Sequence, residues 1–180
     1  MKFKYKSLVL LFIATLLSGC LNNIDFDQVN LDIEPIINTP LVSFELDQLD
    51  FYDVDNSIEI ETVTDISGLE IFESSTFQND LIRFDATFEI SKNFQRVFNV
   101  NVDFLDVNDN ITFSTDTYAL GVNLDILISR INLDVNDFPD ILNTSKVRIR
   151  VRLLPSTVTI DPDVTRKFEF RSSGVFYLRL

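Results

Sequence analysis

Strict alternation of apolar and polar residues is the feature that most restricts what this chain can become. From Ile82 to Ile90, Ile82, Phe84, Ala86, Phe88 and Ile90 alternate with Arg83, Asp85, Thr87 and Glu89. From Lys146 to Leu153, Val147, Ile149, Val151 and Leu153 alternate with Lys146, Arg148, Arg150 and Arg152. A period of two puts one set on each face of an extended backbone, so both segments predict strands with one buried face. The same pattern predicts strands at Leu41 to Leu46, with Val42, Phe44 and Leu46 inward, and at Ser57 to Thr64, with Ile58 and Ile60 set against Glu59 and Glu61. Arg96 to Phe104 follows, with Phe98, Val100, Val102 and Phe104 inward and Asn99, Asn101 and Asp103 outward.

Shorter segments complete the set. Ile111 to Thr115 predicts a strand, and so does Val122 to Ile128, with Val122, Leu124, Ile126 and Ile128 on one face. A helix face through Leu120, Leu124, Leu127 and Ile131 competes there, but no good capping residue opens a helix. Val164 to Arg171 and Val175 to Leu180 are expected as two strands parted by a turn at Ser172-Ser173-Gly174. Ile82–Ile90 and Arg96–Phe104 are expected to pair as a central hairpin through Ser91 to Gln95. Asp106 to Asn110 predicts an Asx turn, and Asp137 to Asn143 one short helical turn with Asp137 as cap and Pro139 near its start. About eight strands with turns between them predict an all-β, antiparallel β-sandwich, with an immunoglobulin-like arrangement as one form of it and a closed barrel as the alternative. Short identical strings, Val29–Ile33 with Val122–Ile126 and Leu105–Asp109 with Leu133–Asp137, have no aligned flanks and no constant period, so no repeat follows.

The N-terminus has a different character. Lys2, Lys4 and Lys6 precede a short apolar run from Leu8 to Leu17, about half of the roughly 20 residues that span a bilayer, and Ser18-Gly19 leads into Cys20, the chain's single cysteine. Basic, apolar, then small residues before cysteine resemble the signal peptide and lipobox of bacterial lipoproteins of Gram-negative, Bacteroidota-like type. The resemblance implies cleavage before Cys20, a diacylglycerol on its thiol and an acyl chain such as palmitate on the new amino group. It divides the chain into a signal peptide at 1–19, a tether at 20–30 and one domain at 31–180. It also implies a partner in the membrane itself, through the lipid anchor at Cys20. In enteric bacteria an aspartate after the lipidated cysteine favours the inner membrane. Leu21 stands there, which points to the outer membrane, and Asp25 and Asp27 are a diluted form of the acidic run that marks surface export, so the periplasmic and surface faces both stay open.

Charge and missing residue types narrow the functions. Loss of three lysines with residues 1–19 takes the formal charge from −13 to −16, a field that repels phosphate backbones and argues against nucleic acid as a partner. From Cys20 to Ser145 there are four basic residues against 25 acids, and from Lys146 to Leu180 eight against three, so the two parts are expected to pair within one fold. A lipidated Cys20 leaves no disulfide, and stability must come from packing, for which 17 phenylalanines are available. Without histidine there is no Ser-His or Cys-His catalysis and no histidine-bound zinc. No catalytic residues, no metal ligands and no cofactor are expected, and the reading is a non-enzymatic, membrane-anchored binding or assembly module with an envelope protein as a partner.

Three features compete with that reading. Asp106-Val107-Asn108-Asp109-Asn110 resembles the calcium-binding linker string of cadherin repeats, but no proline follows, and Leu31–Glu34 and Asp161-Pro162-Asp163 lie too far away to be its companions. An EF-hand fails because Ile111 holds the glycine position and Thr117 the closing glutamate position. The stripe Lys146, Arg148, Arg150 and Arg152 suits an anionic head group or acidic partner, or pairs with acids on neighbouring strands. Tyr52, Tyr118 and Tyr177 are candidates for a sugar-stacking face. A calcium- or glycan-binding surface adhesin is therefore the alternative, and a hydrolase using paired carboxylates a third.

Overall fold

The computed structural model describes residues 35–119 and 126–179. Cys20, the expected signal peptide and tether, and Val122 to Leu124 lie outside the described residues. The chain divides between Asp32 and Ile33, and the described residues all belong to the unit Ile33–Leu180. They form ten strands: β1 Ile36–Asp47, β2 Tyr52–Asp53, β3 Ile58–Glu59, β4 Thr62–Gly68, β5 Leu81–Lys92, β6 Phe98–Leu105, β7 Ile111–Ala119, β8 Ile126–Asp134, β9 Lys146–Leu153 and β10 Lys167–Leu178. One helical turn, α1 (Ser75–Asp80), and 3-10 turns at Gln48–Phe51, Glu70–Glu73 and Pro139–Asn143 fill the connections. Among these described residues no helix is long and apolar enough to cross a membrane.

Two antiparallel four-stranded sheets, ordered β1-β10-β5-β8 and β4-β9-β6-β7, make the predicted all-β sandwich. The eight long strands are distributed so that β6 and β7 are the one consecutive pair sharing a ladder. Every other consecutive pair among them divides between the two sheets. This nested order is that of a jelly roll, two Greek keys folded together, rather than the immunoglobulin pairing or a closed barrel. The expected β5–β6 hairpin is accordingly absent. Both strands have one apolar face, and each satisfies it by facing the other across the core, where the rings of Phe84 and Phe104 meet edge to face at 5.7 Å.

Phenylalanine fills the space between the sheets. Phe51, Phe72, Phe84, Phe88, Phe98, Phe104, Phe168, Phe170 and Phe176 are each less than 2 % exposed. Phe84 and Phe176, direct neighbours on β5 and β10, stack at 4.7 Å, and Phe72 and Phe77 close on Phe176 from the 3-10 turn and α1. This stack explains why Ser172-Ser173-Gly174 lies inside one continuous strand and makes no turn. A Cβ on Gly174 would come within 2.8 Å of both Phe84 and Phe176, so the small residue makes room for the rings. Ser172 serves the neighbouring strand. β1 shifts register between Pro40 and Ser43, and the Ser172 hydroxyl accepts from Val42 N and donates to Val42 O, each at 3.0 Å, restoring the lost rung.

Three other expectations need correction. In β8 the inward residues are Leu127, Ile131 and Leu133, whereas Ile126 and Ile128 are exposed, because Leu133 faces Phe84 and Leu127 faces Ile90 across the ladder with β5. Ser57–Thr64 is broken into β3 and β4, and Ile58 and Ile60 point to solvent because Glu59 turns inward to a buried arginine. The turn Pro139–Asn143 forms, but its cap is Phe138, with no side-chain capping bond, and that ring packs on Phe113 at 5.5 Å.

Candidate functional site

Strand register builds the outer face of the β4-β9-β6-β7 sheet into a polar grid. Arg148, Arg150 and Arg152 of β9 lie opposite Asp103, Asn101 and Asn99 of β6 on one side and Ile66, Thr64 and Thr62 of β4 on the other. On β7, Ser114 lies opposite Asp103 and Asp116 opposite Asn101.

Asp103 is the hub of this grid. Its Oδ1 accepts from the Ser114 hydroxyl at 2.7 Å, and its Oδ2 accepts from Arg148 Nη2 at 2.7 Å and Arg150 Nη2 at 2.9 Å. The two guanidiniums leave none of its side chain exposed, although it stands on an outward face. Burial pushes its carboxyl up, but the Ser114 hydroxyl, the Arg148 bond and the charges of both arginines more than offset this and hold it below the ordinary range. A carboxyl so held is anionic at neutral pH, which suits structure and not proton donation. Asn101 extends the network, accepting from Arg150 Nε at 3.1 Å and donating to Asp116 Oδ1 at 2.9 Å.

The predicted basic stripe is therefore largely absorbed by cross-strand partners, with Lys146 bound to Asp109 at 2.8 Å. Arg152 differs. It is exposed, and among the described residues no carboxylate lies within salt-bridge distance of it. With Thr62, Asn99, Asn101, Asp116 and Arg150 it lines a shallow groove of about 550 Å³.

An open cleft of about 820 Å³ lies at one end of the same sheet, between the β6–β7 loop, the Pro139–Asn143 turn and the end of β4. Glu73, Asp106 and Asp140 line it, but among the described residues no three acidic, cysteine or histidine side chains gather as a metal-binding group. Asp106 is occupied by its own loop: Oδ1 accepts from Asn108 N and Asn110 N, and Oδ2 from Asn110 Nδ2, each at 2.8 Å. The side-chain bond from Asn110 leads in lowering its pKa. Asp109, at φ 65°, completes the expected Asx turn in the left-handed region that Asp tolerates.

At the opposite end of the sandwich, sequence reasoning passed over a buried cation. Arg96 donates from Nη1 to Glu59 Oε1 at 2.8 Å and to Val158 O at 2.6 Å, and from Nη2 to Leu154 O at 2.9 Å, while its Nε has no partner among the described residues. Lys92, its pKa lowered by burial, donates to Arg96 O at 2.8 Å. Together they fasten the β5–β6 crossover to the loops on either side. Lys92 and Arg96 stand in a crossover that also holds Asn93 and Gln95, so nothing local in the sequence marks them as buried. Tyr52 and Tyr177 do not come together: Tyr52 follows the last residues of β1, whereas Tyr177 pairs with Ile36 at the first and lies under Arg83, 3.9 Å from ring centroid to guanidinium carbon. The Tyr118 side chain lies outside the described residues.

No family model and no curated protein matches the chain. Solved structures similar to it include the Gt strain of infectious bursal disease virus (TM-score 0.48, 7% identity, 82% of this chain and 34% of that one) and a protein from Parabacteroides distasonis (0.47, 10%, 64% and 38%). A structure described as "CBM4 structure and function" is similar at a TM-score of 0.34 and 14% identity, over 64% of this chain and 60% of that one. The chain thus spans about a third of the virus protein's length, and at these scores the likenesses carry no argument about its function.

Proposed function

We propose that the chain is a lipid-anchored envelope protein of a Gram-negative bacterium, held on the outer membrane through Cys20, and that it works as a non-enzymatic binding or assembly module. One observation carries the binding half of this reading. The outer face of β4-β9-β6-β7 holds a rigid polar grid in which the exposed Arg152, with no carboxylate in salt-bridge distance among the described residues, stands beside an open groove. Its supporting side chains are fixed by Asp103 before any ligand arrives, and such preorganisation favours recognition. The anchor reading rests on the residues around Cys20. The chain from Cys20 to Pro35 reaches at most about 50 Å, which would keep the domain near the bilayer.

Fractionation tests the anchor: the Cys20→Ser protein should leave the membrane pellet, and continued sedimentation with membranes would reject it. Crosslinking in native membranes tests the module. Arg152→Gln should change what the face captures, and an unchanged set of crosslinks would count against this face. A specific feature favours the glycan form of the adhesin alternative, because the groove is lined by amide, hydroxyl and charged groups, with no apolar side chain among the described residues. The calcium form gains nothing comparable, since both Asp106 oxygens are already bonded within the loop.

A further inference from the structure

We infer that the groove beside Arg152 takes a carboxylate-bearing sugar, a uronate unit within a hydroxyl-rich glycan, with the Arg152 guanidinium on the carboxylate. This rests on the reading of the β4-β9-β6-β7 face as the binding face and names its ligand. Three considerations lead to it. Arg152 is exposed and has no carboxylate partner among the described residues, while Arg148 and Arg150 on the same strand both hold Asp103. A guanidinium presents a planar fork that matches a carboxylate with two parallel hydrogen bonds. The remaining lining, Thr62, Asn99, Asn101 and Asp116, offers hydroxyl, amide and carboxylate groups that exchange hydrogen bonds with sugar hydroxyls.

Charge sets the size of the anion. The chain carries −13 overall, and the groove sets Arg152, without a carboxylate partner among the described residues, and Arg150, engaged with Asp103, against Asp116. That balance accommodates one isolated carboxylate and disfavours a dense polyphosphate. Four strands about 4.8 Å apart give the face a width of about 14 Å, room for a short stretch of glycan lying across them.

The test uses the full-length protein in detergent micelles, titrated calorimetrically with trigalacturonate, its methyl ester and a sulfated trisaccharide. Trigalacturonate should bind saturably, and esterification should weaken it at least tenfold, as should Arg152→Gln, about 1.4 kcal/mol or more. Arg152→Lys should fall between, keeping the charge without the fork, and Arg171→Gln on the other sheet should bind like the parent. Equal affinity for acid and ester, preference for the sulfated sugar, or equal losses from Arg152→Gln and Arg171→Gln would overturn the inference. A photo-crosslinking side chain at position 62 separates the two readings. Capture of an envelope protein that trigalacturonate does not displace would remove the glycan and leave the binding face standing, whereas neither crosslink nor sugar binding would remove both.

Discussion

The two outer faces of the sandwich solve the same electrostatic problem in opposite ways. On the β1-β10-β5-β8 sheet, acids and bases close on near neighbours in solvent: Lys167 with Glu45, Arg171 with Glu169, Arg83 with Asp85. The Lys167–Glu45 pair is about half exposed on each side, and such pairs add little to stability. On the β4-β9-β6-β7 sheet the charges converge on one fully covered carboxylate, while Arg152 here, like Arg130 of β8 on the other face, is exposed with no carboxylate in salt-bridge distance among the described residues. The first arrangement is a solubilising surface. The second couples three strands through Asp103 and holds the groove beside Arg152 in shape.

Substitution at the hub should separate the faces most. Asp103→Ala strands two guanidiniums and is expected to cost about 3 kcal/mol in denaturant unfolding, less than a wholly buried pair because the arginines still reach water. The pH dependence has the matching sign. Asp103 is held below its ordinary value of 3.8 in the folded state, so its contribution is complete above that value and is lost as pH falls through the lower folded pKa. Acid titration of Asp103→Asn should therefore show a shallower loss of stability than the parent on the acid side, and an identical acid limb would mean that Asp103 is not the hub. On the other sheet the stability should come from the inner side of β10. Gly174→Ala, by crowding Phe84 and Phe176, is expected to lower stability by about 2 kcal/mol, as overpacking does. Ser172→Ala, which removes the two bonds to Val42, should cost about 1 kcal/mol. Smallest of all, Glu45→Gln and Lys167→Ala should leave the melting temperature where it is, singly and together. Measurable coupling between them in a double-mutant cycle would erase the contrast between the faces.

Strand positions were legible where alternation was long and unbroken. Lys146–Leu153 is a strand from its first residue to its last, and Ile82–Ile90 lies within β5. The Asx turn at Asp106 was legible because its chemistry is local. Strand partners were not, since alternation says which side of a strand is apolar and nothing about its neighbour. Arg96–Phe104 could equally have lain beside β5 or across the core from it. Parity misled where a polar residue had a buried partner far away in sequence, as Glu59 has in Arg96, and Ser172-Ser173-Gly174 resembled a turn because small residues also serve to admit bulky rings. The groove followed the same logic: the rows Asn99-Asn101-Asp103 and Arg148-Arg150-Arg152 were visible, but only their adjacency makes Asp103 a hub and Arg152 the remainder.

The bond between Val42 and Ser172 joins residues 130 positions apart, and β1 finds its sheet partner only in β10. A ribosome therefore releases β1 long before the strand that will hold it, and β5, already able to pair with β8, gains its second neighbour only then. Until β10 arrives, β1 has no partner among the described strands and the β5–β8 pair stands apart from it, so this sheet cannot close before the end of synthesis, and closure is slow in the way that distant pairings are slow. Under the proposed envelope location, in which the chain would be threaded through a translocation pore before folding, such a delay would be useful: assembly would wait for the far side.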